Sequence, residues 1–373
     1  MRIGIDATTI YTARPTGLGI YSINIINELA KLHDDLIVWT VDDSSLQLDP
    51  VRIRKVMRPF HFLGNHLFQL RPFWVEYVLP KLMAREKVDV LYTTIPNGLM
   101  RSPVPHVVTV HDLIPLTFPA DAPRSVRWNF RHRLPAILGN AQKIIAVSRH
   151  TKQDVIEHYR LPPDKIHVVG EGYALDHFRP DVDLAVLVKY GLQPKKYVLY
   201  VGNSSARKNV LHLIKAFGRV KDLVPHRLVL AGSKYPHERR ALVDEISRTG
   251  LADRVLLLDY VPYSELPALY AGADLFAFLS LYEGFGLPVL EAMACGTPVL
   301  TSSTTSLPEV AADAGLLADP LSIEDIAGKL QSVLLDPKKK EQAAAAGLAR
   351  CRLFRWSSAA REIYGILQGV AGA

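Results

Sequence analysis

The chain has 373 residues, 49% hydrophobic and 22% charged, an ordinary globular composition with length for two domains of about 150 residues each. Its net charge of +7 points to a nucleic acid, an anionic membrane surface or a phosphorylated small molecule as partner, and with no nucleic-acid motif beside it the first is set aside. No apolar run reaches the roughly 18 residues of a bilayer span, and Cys295 and Cys351 form neither a disulfide framework nor a metal spacing, which suits a reducing cytoplasm, with Cys295 packed in a helix.

In chain order, MRIGIDATTIY carries an aspartate inside its apolar stretch. It reads as a first strand and not as a signal peptide. The first half predicts strands over 2–6, 36–41, 88–93, 106–110 and 143–148. After the first strand, TARPTGLGIYS places Gly17 and Gly19 at the start of a helix over 20–32, with Ile20, Ile23, Ile26, Leu29 and Ala30 as its stripe. Glycines there let a phosphate approach the N–H groups of a helix start. The third glycine of a dinucleotide fingerprint is missing, so a plain turn is an equal reading.

From Arg52 to Arg85 there are seven Lys or Arg against one acid, Glu76, interleaved with Phe60, Phe62, Phe68, Phe73, Trp74 and Tyr77. RSVRWNFRHR, over 124–133, adds Arg124, Arg127, Arg131 and Arg133 without an acid. Cations beside aromatic rings suit the headgroup layer of an anionic membrane. A solvated helix face over core aromatics fits as well. In VTVHDLIPL, His111 and Asp112 close a strand. They are placed for polar chemistry, or are a capping aspartate beside a structural histidine.

The segment 173–196, with Pro180 and Pro194, reads as a connector. Its Asp181-Val182-Asp183 is the one Asp-x-Asp triplet, and in a connector it is not read as a metal site. The pattern then restarts, with strands over 197–203, 226–232, 254–259, 274–280 and 297–302 and helices over 210–223, 237–248 and 264–271. Strand–helix alternation implies parallel sheets covered on both faces. Two such series imply two doubly wound domains, over 1–175 and 190–355. The Ala-rich stretch from Pro337 reads as a solvated helix.

In doubly wound sheets ligands bind beyond the carboxyl ends of strands. There VGNSSARKN offers Arg207 and Lys208 at a strand-to-helix turn. Such cations suit a diphosphate, with the helix dipole adding to them, or form a solvated basic turn. YEGFGLPVLEAMACGTPVL places Glu283 in a loop and Glu291 about one turn into a helix. Gly284 and Gly286 let that loop fold tightly, Pro288 suits the first turn and Gly296 stops the helix. Carboxylates accept hydrogen bonds from vicinal sugar hydroxyls. Two of them around exposed amides suit ribose, diphosphate and hexose in order: a sugar nucleotide. Glu291 alone also reads as an acid favoured by the helix dipole.

The stretch from Tyr282 resembles the E-x7-E motif of retaining GT-B glycosyltransferases of family 4 (group 1), with Glu283 and Glu291 on the two glutamates. TGLGIYS, HDLIPL, VSRHTKQDV, VGN...RKN, LAGS, LDYVPYSELPALYAGADLF and SLPEV are similar to the family's other motifs, in order and over most of the chain. The resemblance implies an α/β GT-B fold, two Rossmann-like doubly wound domains facing across a cleft, the last helix, 356–373, crossing back to the acceptor-side N-terminal domain. It implies that the C-terminal domain holds the donor nucleotide. Glu291 would bind ribose, Glu283 and the amides of Gly284, Phe285, Gly286 and Leu287 the transferred sugar, and Val261 the base through its backbone. Arg207 and Lys208 would stabilise the diphosphate, Gly17 and Gly19 would approach the donor phosphate, and His111 would lie beside the reacting sugar. Many members have Gly-Arg where this chain has Gly202 and Asn203, so one diphosphate cation is missing there, and either Arg207 and Lys208 suffice or another residue substitutes.

Glycosyl transfer builds negative charge on the departing diphosphate, which needs a metal or fixed cations. With Arg207 and Lys208 at hand, metal-independent, retaining transfer without a cofactor is the expectation. HDLIPLTFP is similar to bacterial mannosyltransferases of polysaccharide assembly, which implies GDP-mannose as donor, with UDP-sugars second. The implied acceptor is a saccharide or a lipid-linked saccharide, and the implied location is the cytoplasm, peripheral on the inner membrane face. The rivals are a sugar-nucleotide epimerase of the same architecture and a noncatalytic sugar-nucleotide or membrane-binding protein.

Overall fold

The computed structural model describes residues 1–8, 10, 16–56, 67–232 and 236–372, the backbone alone for 67–70 and 236–237. In chain order these form β1 (Ile3–Ala7), α1 (Gly17–Leu32), β2 (Leu36–Thr40), β3 (Ile53–Lys55), α2 (Leu67–Tyr77), α3 (Leu79–Glu86), β4 (Val90–Thr93) and β5 (His106–Val110). Next come α4 (Ile114–Thr117), α5 (Arg124–Trp128), α6 (Leu134–Asn140), β6 (Lys143–Ala146), α7 (Arg149–Tyr159) and β7 (Ile166–Val168). The second series is β8 (Tyr197–Val201), α8 (Val210–Val220), β9 (Arg227–Ala231), α9 (Pro236–Arg248), β10 (Val255–Leu258), α10 (Leu266–Gly272), β11 (Leu275–Phe278) and α11 (Leu287–Ala294). It ends with β12 (Val299–Ser302), α12 (Leu307–Ala311), β13 (Leu316–Ala318), α13 (Ile323–Leu334), α14 (Pro337–Cys351) and α15 (Trp356–Ala371).

The chain divides into two units, Met1–Gly172 with Arg355–Ala373, and Tyr173–Phe354. The first holds a sheet of order β3-β2-β1-β4-β5-β6-β7 and the second one of order β10-β9-β8-β11-β12-β13. Each is wholly parallel among the described strands. Strands such as LIVWT in β2 and LFAF in β11 are buried at every residue, as parallel strands covered on both faces must be. Each unit is an α/β, doubly wound domain.

Each predicted strand is present within a few residues of its expected ends. β3, β7 and β13 were not expected. Each has three residues and lies at a sheet edge, where short strands bury too little to leave a pattern. The α1 stripe is corrected. The buried face is Tyr21, Ser22, Ile25, Ile26 and Leu29, while Ile20, Ile23 and Ala30 are half-buried. The polar Tyr21 and Ser22 hydroxyls face inward because each finds a hydroxyl partner, on Tyr92 and Thr94 respectively. α8 follows the expected spacing, with Val210, Leu213, Ile214, Phe217 and Val220 buried. Trp74 joins Trp39, Val75, Leu79 and Met83 in the core beside β2. The last helix packs on α1, β4 and β6 within the first unit. No helix among the described residues is long and apolar enough to cross a membrane.

The carboxyl ends of β8 and β9 meet at two glycines. Gly232 has φ +133°, and a Cβ there would lie 2.1 Å from the Gly202 carbonyl oxygen. Gly232→Ala is therefore expected to cost about 1–3 kcal/mol through strain and close approach, read as a lower urea midpoint; an unchanged midpoint would mean the strand ends relax freely.

Candidate functional site

In the second unit the chain builds β8, β9 and β10 outward in one direction. It then returns to lay β11 on the other side of β8. The loops leaving β8 and β11 stand at this reversal, at the carboxyl ends where doubly wound sheets take their ligands. Arg207 and Lys208 leave from β8, and Glu283 from β11.

The structure brings these three side chains into contact. Glu283 Oε1 accepts from Lys208 Nζ at 2.5 Å and from Arg207 Nη1 at 3.1 Å. Arg207 Nη1 also donates to the Tyr282 carbonyl at 2.7 Å. Lys208 Nζ lies 4.8 Å from the centre of the Phe278 ring, a cation–π contact. Arg207 is buried. Burial raises the Glu283 carboxyl pKa, but Lys208 and Arg207 outweigh it and hold it below the usual range. The cluster is a largely buried carboxylate shared by two cations.

The backbone holds this geometry. The Leu281 N–H donates to the Arg207 carbonyl at 2.8 Å. Asn209 adopts a left-handed φ of 58° and its amide donates to the carbonyls of Leu279 and Pro320, at 3.1 and 2.7 Å. Ser306 Oγ lies 2.9 and 2.8 Å from the carbonyls of Glu283 and Phe285, clamping the Glu283–Gly286 turn from α12. Gly286 has φ +121°, and a Cβ there would meet Leu307 Cδ2 at 2.7 Å. Phe285 is buried edge-on against Phe354, 5.8 Å away. Leu287 begins α11.

Glu291 lies in a different environment. α11 is apolar but for this residue and buries it. Among the described residues its side-chain partner is the Tyr270 hydroxyl, which donates at 2.9 Å. Burial without a cation pushes its carboxyl up to about 7, against the lowering effect of the Tyr270 bond. Asn203 is exposed beyond β8, its Oδ1 accepting from the Ser205 N–H at 3.3 Å. Val261 is buried in the turn after β10, two strands away from β8. Among the described residues no group of three or more His, Cys, Asp or Glu converges as a metal cluster.

The other expected residues belong to the first unit. Gly17 and Gly19 form the first turn of α1, and the Gly19 N–H reaches the capping Thr16 hydroxyl at 3.4 Å. The preceding loop residues 11–15 lie outside the described residues. His111 follows β5, buried. Its Nε2 lies 2.8 Å from the Thr94 carbonyl and its Nδ1 3.1 Å from Glu171 Oε1. Burial disfavours the charged ring, but Glu171, the Thr94 carbonyl and Asp112 outweigh it, so the pKa of His111 lies above its ordinary value.

Four polar partners were not read from the sequence: Glu171 for His111, Tyr270 for Glu291, and Asn209 and Ser306 for the two loops. Three of them lie in the quoted stretches, Asn209 closing VGN...RKN, Tyr270 within LDYVPYSELPALYAGADLF and Ser306 opening SLPEV, whereas Glu171 lies in none. The basic–aromatic stretches divide. Arg52, Arg54, Lys55, Arg71 and Arg133 pair with Asp34, Glu86, Asp43, Asp6 and Glu76. Trp74 and Phe130 are buried, whereas Phe73, Tyr77 and Trp128 are 64%, 60% and 57% exposed. Arg58, Phe60, Phe62 and the Phe68 side chain lie outside the described residues.

Known proteins match both halves. The family model described as Glycosyltransferase Family 4 matches residues 15–177, and that described as Glycosyl transferases group 1 matches 188–350. The chain is 35% identical over 361 residues to O-antigen chain mannosyltransferase B of Escherichia coli, covering 92% of this chain and 93% of that one. It is 31% identical to the serotype-specific mannosyltransferase WbdA of Escherichia coli, over 68% of this chain and 32% of that longer one. Among solved structures, Anabaena Alr3699/HepE in complex with UDP-glucose superposes with a TM-score of 0.75 at 19% identity, over 99% of this chain and 100% of that one.

The Glu291 environment sets a pH dependence. Its folded-state pKa, about 7, exceeds the roughly 4.3 of an unfolded glutamate. The folded chain therefore holds the proton longer. The stability from this group is full below the unfolded value and is lost as pH rises to about 7, about 4 kcal/mol in all. Urea midpoints between pH 4.5 and pH 7.5 should fall more in the wild type than in Glu291→Gln. Parallel curves would place Glu291 in an ordinary environment.

Proposed function

The chain belongs to the family 4, group 1, glycosyltransferases, and on that premise we propose that it is a retaining mannosyltransferase. The donor is GDP-mannose and the acceptor a saccharide or lipid-linked saccharide of cell-surface polysaccharide synthesis. The observation that carries the chemistry is the buried Arg207–Lys208–Glu283 cluster at the carboxyl ends of β8 and β11. The mannosyl choice is supported by the 35% identity to an O-antigen chain mannosyltransferase over nearly the whole of both chains.

In this reading the bond from the anomeric carbon to the diphosphate oxygen breaks while the acceptor oxygen bonds that carbon on the same face. The acceptor proton passes to the departing diphosphate oxygen, so no protein base is consumed. Arg207 and Lys208 receive the charge that develops on the diphosphate, as preorganised cations in a largely buried site. They serve in place of a metal ion, and no cofactor is needed besides the nucleotide sugar. Glu283, held by both cations, accepts from hydroxyls of the transferred sugar next to the amino end of α11, with the Gly284–Leu287 backbone around it. Glu291 accepts from ribose hydroxyls, Val261 meets the base and Asn203 stands at the diphosphate. Gly17 and Gly19 approach the donor phosphate, and His111 lies beside the sugar. A UDP-sugar donor is the second reading, favoured by the UDP-glucose bound to the structurally similar HepE.

The exposed Phe73, Tyr77 and Trp128 suit a headgroup layer, which would hold the protein on the inner membrane face near a lipid-linked acceptor.

Calorimetric titration of GDP and UDP in EDTA tests the donor. GDP should bind tighter, and Glu291→Ala should weaken it roughly tenfold or more. A preference for UDP changes the donor, and no binding of either to folded protein removes the sugar-nucleotide reading. Glu283→Gln should keep nucleotide affinity and lose about a hundredfold or more in turnover; lost nucleotide binding with normal turnover would reverse its role. Co-sedimentation with phosphatidylglycerol vesicles should exceed that with phosphatidylcholine and drop when Phe73, Tyr77 and Trp128 become Ser. Equal partition on both lipids would count against the membrane contact.

A further inference from the structure

His111 has no nitrogen to spare for a substrate. Nε2 lies 2.8 Å from the Thr94 carbonyl oxygen. A carbonyl only accepts, so Nε2 carries a hydrogen and points it into the protein. Nδ1 lies 3.1 Å from Glu171 Oε1, where the charged ring donates its Nδ1–H to the carboxylate. The ring could take a proton from a ligand only by breaking one of two buried hydrogen bonds.

The remaining surroundings are equally defined. The Tyr21 ring of α1 stands edge-on at 4.5 Å and 89°. Its hydroxyl is engaged elsewhere, with Tyr92 and Thr109. Asp112 is the adjacent charge, and its Oδ1 accepts from the Ile114 N–H. Among the described residues, the titratable groups recorded beside the ring are Glu171, Asp112 and Tyr21. Glu171 itself is buried and pairs with the His111 ring. A buried carboxylate so placed demands the histidine as its counter-group.

Glu171 also occupies a special place in the chain. It immediately precedes Gly172, the last residue of the first unit before the chain leaves it, and the chain re-enters that unit at Arg355. Gly172 is packed against this re-entry: a Cβ on it would lie 2.3 Å from the Trp356 backbone nitrogen. The Tyr21 ring, beside His111, also meets the Trp356 ring at 5.7 Å. The His111 ring is therefore braced against both chain crossings of its own unit.

We infer that Glu171 is the positioning residue of this site. It closes off Nδ1, fixes the ring against the Thr94 carbonyl and so makes His111 an oriented, charge-bearing contact instead of a proton acceptor. Its effect on turnover rests on the reading above that His111 lies beside the reacting sugar; its effect on the ring does not.

The test uses the full chain labelled with 15N-histidine, with the His111 signal assigned by its loss in His111→Gln. In donor-free wild type, Nε2 should stay protonated from about pH 6 to about pH 9, with any titration confined to Nδ1 and centred above the ordinary histidine value of about 6.5. A bare Nε2 in the neutral ring overturns the inference without any variant. In Glu171→Gln, nearly the same size but uncharged, the midpoint should fall by about one pH unit or more. In Glu171→Asp it should stay near the wild-type value. An unmoved midpoint in Glu171→Gln overturns the coupling. Turnover separates the two layers: kcat in Glu171→Gln should fall about tenfold to a hundredfold with GDP affinity unchanged, and its pH profile should shift with the ring. A shifted midpoint with unchanged kcat overturns the positioning role. A wild type with the expected ring state but no mannosyl transfer would overturn only the donor reading.

Discussion

The second unit is organised around one buried carboxylate. Glu283 lies between Arg207 and Lys208, and none of the three would be stable there alone. Removing one partner from a buried ion pair typically costs about 3–5 kcal/mol, since the charge left behind has neither water nor a counter-ion. The sheet order makes the meeting possible. Because β11 lies against β8 although β9 and β10 come between them in sequence, two loops distant in sequence end side by side. The price of this arrangement is borne by the turns. Asn209 takes a left-handed conformation, and Gly286 sits where a Cβ would strike Leu307.

The first unit solves a similar problem with less charge. His111 pairs with Glu171 at 3.1 Å, and the hydroxyls of Tyr21, Tyr92 and Thr109 satisfy one another behind them. Buried networks of this kind hold one geometry only when each member is satisfied. In both units the functional candidates stand at the carboxyl ends of central strands and are held by neighbours whose own hydrogen bonds are complete.

The architecture was legible because long parallel strands are apolar runs and amphipathic helices repeat at a fixed spacing. The edge strands β3, β7 and β13 were not, since three residues carry no periodicity. The face of α1 was misread because Tyr21 and Ser22 are polar by type but buried through their partners. The glutamate pair was legible as a motif with glycines between. Its environment was not: Arg207 and Lys208 are 76 and 75 residues from Glu283, and Glu171 is 60 from His111. Such pairings are created by topology, and no local pattern announces them.

The two glutamates, eight positions apart, illustrate how environment assigns roles to identical side chains. Glu283 is held ionised by Lys208 and Arg207, the cations proposed above to meet the diphosphate. A ligand arriving there would find a carboxylate already oriented by both. Glu291 has no cation, one tyrosine donor and a pKa raised to about 7. An ionised carboxylate offers about four acceptor positions, and Tyr270 uses one. The rest are unfulfilled in an apolar helix, which is what pushes the proton affinity up. A pair of ribose hydroxyls would supply the missing donors without breaking any ion pair. The same hydroxyls would favour the ionised form, so that binding and deprotonation at Glu291 reinforce each other. Exchanging the two environments would defeat both tasks: a cation-bound carboxylate would give up strong bonds to reach ribose, and an isolated one could not balance the cations of the leaving group.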